Sequence, residues 1–310
     1  MSRLPNFFLG GAPKCGTTAI ASYLAEHPQA FMSVPKEPFY FASDLPGMRK
    51  VQTEIEYRNL FRGAERRRVV GEASTLYLYS RTAFAELWQT CPESRIVIML
   101  RPPAELIHAF HSQLLWGFHE DEPSFARAWE LQADRAAGRS IPAGCRAEAL
   151  LQYRELGRLG EQVERLLQVV PRSHVRFVLL EDLAAQPRLI YGQLLTFLGL
   201  DDDGRMEFPV RNRHRVYRSR TLGGLKHVLA RRWPRTDRLL RTLIRLLKLE
   251  ASARQAIGRE SARPALPDSL RRQLEEELAD DVRLLAELIQ RRLDHWLPGS
   301  GSRPHRGAGP

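Results

Sequence analysis

A chain of 310 residues, 43% hydrophobic and 27% charged, has ordinary globular composition and the length of one large α/β domain. Its longest apolar runs, such as Ile96 to Leu100, fall far short of the roughly 20 residues that a membrane helix needs. The net charge of +11 is local: residues 205–248 hold 14 Lys and Arg against two acidic residues, a local +12, so the remainder is close to neutral. In chain order, Asn6 to Gly10 reads as a buried strand, followed by the loop Gly11-Ala-Pro-Lys-Cys-Gly16 and a helical pattern from Thr17 to His27. A short strand is expected after that helix, before Glu37. Val69 to Gly71, Ile96 to Leu100 and Val175 to Leu180 have the apolar character of strands in a buried parallel sheet. Between them helices are expected near 81–90, 103–116, 123–137, 146–169 and 187–198. This alternation predicts βαβ units: an α/β fold of P-loop type, with a doubly wound parallel sheet flanked by helices.

From about 221 the pattern is all-helical, interrupted by Pro234 and by the polar stretch 259–267; Asp268 is expected to cap a last long helix ending near Trp296. Residues 1–297 are read as a single domain, and 298–310, rich in Gly, Pro and Ser, as a disordered tail. Three unpatterned cysteines, Cys15, Cys91 and Cys145, argue against a disulfide framework or a CxxC zinc site. With no signal-like segment at the start, the expected location is cytoplasmic.

A strand, a glycine loop and a helix together point free backbone N–H groups and a helix dipole at a phosphate. Gly11 and Gly16 have the glycine spacing of a Walker A loop, but Thr17 stands where the Walker lysine belongs, and the loop's lysine is Lys14. The strand ending at Leu100 is followed by the cation Arg101 rather than by a magnesium-binding carboxylate, which argues against a nucleoside triphosphatase. Only five of the 47 basic residues are lysines, so Lys14 and Lys36 require an explanation of their own.

Pro13-Lys14-Cys15-Gly16-Thr17-Thr18 resembles the 5′-phosphosulfate loop of sulfotransferases that use 3′-phosphoadenosine 5′-phosphosulfate (PAPS), and Arg101-Pro102-Pro103 resembles their 3′-phosphate motif. Ser33 to Phe41 is similar to the Lys-Glu-Pro-x-x-Phe segment of the Golgi carbohydrate and bacterial branch. Val178 to Leu183, Phe197 to Leu200 and Asp281-Val282 through Trp296 match later landmarks, so the resemblance runs from about Asn6 to Trp296. It implies that Lys14, Cys15, Gly16, Thr17, Thr18 and Arg101 bind the donor; no metal is expected, because the lysine and the loop amides supply the electrostatics. Arg218 and Ser219 fall where relatives close a loop over the nucleotide. The serine that relatives place eight residues after the motif arginine is here Ala109; His108, His111 and Ser112 lie on the same helical stretch.

Sulfuryl transfer builds negative charge on the oxygen bridging sulfur and phosphorus, which a compact ammonium such as that of Lys14 can stabilise. Arg101 offers a planar fork for a phosphate. The acceptor must lose a proton, and the resemblance places the base at Glu37. Glu72 is the second candidate, as base or acceptor contact; His108, His111 and His119 qualify on chemistry alone. Lys36 is either a donor or acceptor contact or a solvated lysine. Cys15, near a helix N-terminus, is open to a lowered pKa, though a small residue filling the loop is the simpler reading. Tyr77, with Phe39, Tyr40, Phe41, Tyr79 and Trp116, is a candidate lining of the acceptor pocket.

The expected activity is therefore sulfuryl transfer from PAPS to a hydroxyl or amine of a carbohydrate, lipid or small-molecule acceptor. A basic surface over 221–248 would suit peripheral contact with an anionic membrane. Nucleic acid is the weaker partner for it, because no helix-turn-helix, zinc or RNP-type motif accompanies the arginines. A catalytically silent nucleotide binder is the other alternative.

Overall fold

The computed structural model describes residues 4–209, 215–217, 258–260 and 264–299. Five strands, β1 (Phe7–Gly11), β2 (Ala30–Met32), β3 (Val69–Ala73), β4 (Arg95–Leu100) and β5 (Val175–Leu179), form one parallel sheet in the order β2-β3-β1-β4-β5. Every residue of β1 and β3 is buried, and in β4 only Arg95 is exposed. Helices cover both faces, which is why these strands read as continuous apolar runs and not as alternation. Leu9 pairs with Ala73 on one side and with Val97 on the other, so β1 lies at the centre.

The first helices are α1 (Thr17–Glu26), α2 (Glu54–Asn59), α3 (Ala83–Thr90) and α4 (Pro103–Trp116). Where one helix was expected over 123–137 there are two, α5 (Phe125–Glu130) and α6 (Gln132–Ala136). Buried Gln132 lies at the break: its amide donates to Trp129 O at 2.8 Å and its Oε1 accepts from Arg154 N at 2.7 Å. Similarly 146–169 is not one helix but a 3-10 turn (Glu148–Leu151), α7 (Tyr153–Gly157) and α8 (Leu159–Val169). The carboxylate of Asp281 starts α8 from outside, accepting from Gly160 N at 2.8 Å and Glu161 N at 2.9 Å. Two side-chain oxygens thereby satisfy amides that an N-terminal turn leaves open.

α9 (Leu180–Ala185) and α10 (Pro187–Leu198) follow β5, and α11 (Asp268–Glu277) and α12 (Ala279–Ile289) close the described chain. The long helix expected from Asp268 is thus split at Leu278 and ends at Gln290, whose φ is 56°. Asp268 is the first helical residue rather than the cap; Pro267 holds that position, and no side chain caps the helix. Trp296 is buried and donates its Nε1–H to Glu181 Oε1 at 3.2 Å, tying the chain's end to α9. Gly258–Glu260 forms β7, antiparallel to β6 (Arg215–Tyr217), so the stretch after 221 is not purely helical. The expected basic helices of 221–248, and the tail beyond residue 299, lie outside the described residues.

The order of the strands positions the site. The chain leaves β1 through α1 to β2 and β3 on one side of the sheet, then crosses to β4 and β5 on the other. The loops after β1 and β4 therefore meet at the topological switch point, where open α/β sheets bind ligands. Ala12 N donates to Met99 O at 2.7 Å, closing that junction.

Candidate active site

β1 runs into the loop 12–16 and directly into α1. Gly16 is the N-cap, and its φ of 83° requires glycine; a Cβ there would also press on the Leu180 side chain, 2.8 Å from Cδ1. No side chain caps α1, and its first turn holds no acidic residue. Its amides thus keep the donor capacity that an anion uses. Lys14 also has a left-handed φ, 64°, a conformation that costs a non-glycine residue roughly 1–2 kcal/mol.

Cys15 is fully buried, its Sγ 3.4 Å from Pro13 O. Burial pushes the thiol up to about 12, outweighing the opposing charges of Arg101 and Lys14. The thiol is therefore not activated: desolvation exceeds the pull of the two cations, and the buried side chain packs the loop, the simpler of the two readings. Arg101 extends from the end of β4, with Nη1 donating to Lys14 O at 3.1 Å and Nη2 paired with Glu105 one turn on. Its Nε is buried without a hydrogen-bond partner among the described residues.

A second segment approaches the loop after β2. Glu37 has φ 62° and is anchored by its amide, which donates to Ala73 O at 3.0 Å. Thr75 Oγ1 donates to Glu37 Oε1 at 3.3 Å. Lys36 Nζ reaches Thr18 Oγ1 at 2.9 Å, Thr17 Oγ1 at 3.3 Å and Glu37 Oε1 at 3.6 Å. It is therefore no solvated lysine but a bridge from the loop hydroxyls to Glu37. Burial lowers its pKa, with the neighbouring Glu37 carboxylate opposing the shift.

Lys14 and Glu37 line one cleft of about 420 Å³, together with Phe39, Lys50, Thr75 and Arg146, and with Ala109, Ser112 and Trp116 from α4. Ala109 is fully buried in that wall, and Ser112 Oγ donates to His108 O at 3.1 Å. His119 lines the cleft and its Nδ1 lies 2.9 Å from Gly144 O. His111 points elsewhere, its Nε2 2.9 Å from Glu122 O and its ring against Phe125 and Tyr153. His108 packs on Phe125 and does not line the cleft.

Glu72 and Tyr77 need correction as acceptor contacts. Both are fully buried and neither lines the cleft. Tyr77 lies in an aromatic layer against Phe41, whose amide donates to the phenol at 3.3 Å. Tyr40 stacks on Tyr57 in the same layer, 4.4 Å between centroids. Ser74 Oγ is 3.4 Å from Glu72 Oε2, while Oε1 has no partner among the described residues. Burial pushes the Glu72 carboxyl up from 4.5 to about 8, against the pull of hydrogen bonds from Tyr77 and Ser74.

That shift has a signed consequence. Between pH 4.5 and 8 the folded protein keeps a proton on Glu72 that the unfolded chain releases, so this residue's contribution to stability falls as pH rises through the interval. Glu72→Gln should remove that slope and stabilise the protein at pH 7 by on the order of 3 kcal/mol. Thermal unfolding at pH 5 and pH 8 checks it: the gain in Tm is expected to be larger at pH 8. An equal change at both values would refute the buried, protonated assignment.

Sequence reasoning did not identify Lys50, Thr75 or Arg146 as cleft residues. One signal existed, because Lys50 shares the lysine rarity that singled out Lys14 and Lys36. Arg218 and Ser219 lie outside the described residues. Among the described residues, no group of three or more His, Cys, Asp or Glu side chains is arranged to hold a metal ion. No helix among them is long and apolar enough to cross a membrane.

No family model matches the chain. It is 27% identical to the membrane-associated sulfotransferase kil1 of Dictyostelium discoideum, over 41% of this chain and 27% of that protein. It is 24% identical to carbohydrate sulfotransferase 15 of Rattus norvegicus, over 34% of this chain and 26% of that one. The chain thus spans about a quarter of the length of the curated relatives it matches. Among solved structures, a sulfotransferase from Alicyclobacillus acidocaldarius superposes with a TM-score of 0.70 at 25% identity, covering 95% of this chain and 99% of that one.

Proposed function

Because this chain belongs to a sulfotransferase family, we propose that it moves a sulfuryl group from PAPS to a hydroxyl or amine. The observation carrying this reading is that Lys14 and Glu37, delivered by different elements, line one cleft, with Lys36 joining the loop hydroxyls to Glu37. PAPS supplies an electrophilic sulfur and a bisphosphate leaving group. The chain's residues fit its charge: uncapped amides at the start of α1 and the hydroxyls of Thr17 and Thr18 suit the 5′ end. The buried, unpartnered Nε of Arg101 offers a donor for a second phosphate.

In the transfer, the acceptor oxygen or nitrogen forms a bond to sulfur as the bond from sulfur to the bridging oxygen breaks. Glu37 takes the acceptor's proton, and Lys14 stabilises the charge on the departing oxygen. The products are a sulfate ester or sulfamate and adenosine 3′,5′-bisphosphate. In this reading Cys15 and Gly16 shape the loop, and Ala109 forms wall where relatives carry a serine. A carbohydrate, lipid or small molecule is the acceptor, with the carbohydrate class supported by the similarity to the rat carbohydrate sulfotransferase. Cytoplasmic action with peripheral contact to an anionic membrane through 221–248 belongs to the same proposal. The membrane contact is supported by the +12 charge of residues 205–248, of which 221–248 carry +7, and by the description of the Dictyostelium relative as membrane-associated.

Isothermal titration of the bisphosphate product tests the donor site. Arg101→Ala should weaken its binding roughly 10- to 100-fold, the worth of a charged hydrogen bond, with a much smaller effect on a nucleotide lacking the 3′-phosphate. Equal losses for both nucleotides would leave Arg101 as a structural tie to Lys14 O.

A further inference from the structure

Two cations in the cleft have no part in the transfer itself. Lys50 Nζ donates to Lys36 O at 3.1 Å and lies 5.5 Å from the centre of the Phe39 ring. No carboxylate lies within ion-pair distance of it among the described residues. The guanidinium of Arg146 has no hydrogen bond, ion pair or ring contact among those residues. The cleft's own carboxylate, Glu37, is already engaged by Lys36 and Thr75.

The backbone holds both cations in place. Lys50 N donates to Pro38 O at 2.9 Å, fixing the turn after Pro46–Met48 to the Glu37 segment. Gly47 in that turn packs against the loop carrying Arg146 so closely that a Cβ would sit 1.9 Å from Arg146 O. The same loop is anchored on its other side, where Gly144 packs against Phe118 O and its carbonyl oxygen lies 2.9 Å from His119 Nδ1. Burial lowers the pKa of Lys50, and Arg146 adds to that by repulsion while Glu37 opposes it. Two like charges are thus held at one cleft, and among the described residues neither forms an ion pair with a carboxylate, an arrangement that an incoming anion relieves.

Resting on the sulfuryl-transfer reading, we infer that the acceptor carries an anionic group, a carboxylate, sulfate or phosphate, which Lys50 and Arg146 take while its nucleophile lies at Glu37. The cleft then recognises two parts of one molecule. A neutral acceptor would leave the repulsion between the cations in place.

The test measures transfer from labelled PAPS to sugars, phenols and primary alcohols, each supplied in neutral, carboxylated and phosphorylated or sulfated form. Wild type is compared with the double variant Lys50→Gln, Arg146→Gln, and binding of the bisphosphate product is titrated to both. Transfer is expected to concentrate in the anionic members. The double variant should raise KM for them at least about tenfold, with kcat and bisphosphate affinity within about twofold of wild type and a weaker dependence of KM on salt. A preference for neutral acceptors, or an unchanged KM in the double variant, overturns the inference. So does weaker bisphosphate binding in that variant, which would assign the cations to the donor. If wild type binds the bisphosphate but sulfates no anionic member, the inference falls and the donor reading stands. If wild type does not bind the bisphosphate, the donor reading itself falls.

Discussion

Lys14→Ala should lower kcat for sulfuryl transfer by roughly 10²- to 10³-fold, the cost of removing one preorganised charge stabiliser. Affinity for the bisphosphate product should change by less than about tenfold, because the lysine's interaction is strongest when charge accumulates on the departing oxygen. Lys14 sits in the loop at φ 64°, with its carbonyl held by Arg101 Nη1 at 3.1 Å, an anchor made through the backbone. Truncation at Cβ leaves that anchor intact. Lys14→Arg should recover little, since a guanidinium is a larger, planar donor with fixed directions. Steady-state kinetics with a saturating acceptor, alongside calorimetric titration of the bisphosphate, separates the two quantities. A variant with near wild-type kcat, or one whose whole loss lies in nucleotide affinity, would remove Lys14 from the chemistry.

Local patterns made much of this legible in the sequence. Apolar runs marked β1, β3 and β4 because strands buried on both faces leave no polar alternation, and edge strand β5 stayed legible although Arg176 and Phe177 are only half-buried. Pro103 and Gly117 bound α4 where sequence rules put its ends. What the sequence concealed was set by distant partners. The start of α8 is fixed by Asp281, more than a hundred residues away in the chain, and the break before α6 involves the buried amide of Gln132. In the site, Lys14 and Glu37 were identifiable from residue type and motif, but their shared cleft depends on the parallel pairing of β2, β3 and β1, which brings the loops after β1 and β2 to one edge of the sheet. Glu72 was misjudged for a similar reason. A strand's end looks solvent-facing in sequence, but Glu72 is fully buried, with Ser74, Tyr57 and Tyr77 close to its carboxyl. Lys50 and Arg146 come together through the contact of Gly47 with the Arg146 carbonyl, which no spacing rule encodes.

Glu37→Gln should reduce turnover about 10²-fold or more while leaving affinity for the bisphosphate unchanged, because an amide cannot accept the acceptor's proton. The substitution is nearly isosteric. Thr75 Oγ1 can still donate to the side-chain oxygen it now meets at 3.3 Å, and the amide bond to Ala73 O belongs to the backbone. The left-handed φ of 62° is equally unfavourable for Glu and Gln, so the exchange adds no backbone strain. The one contact certain to weaken is the 3.6 Å ion pair with Lys36, whose side chain also holds Thr17 and Thr18. Lys36→Gln therefore serves as the control: it removes the same pair and disturbs the loop, and it should weaken the bisphosphate more than Glu37→Gln does. Rescue of Glu37→Ala by added formate supplies a readout that a merely structural carboxylate would not give, since a small base can occupy the vacated volume. If Glu37→Gln keeps its turnover while Glu72→Gln loses it, proton transfer must run through the buried carboxyl. The cleft would then have to open toward Glu72, which has no exposed surface in this structure.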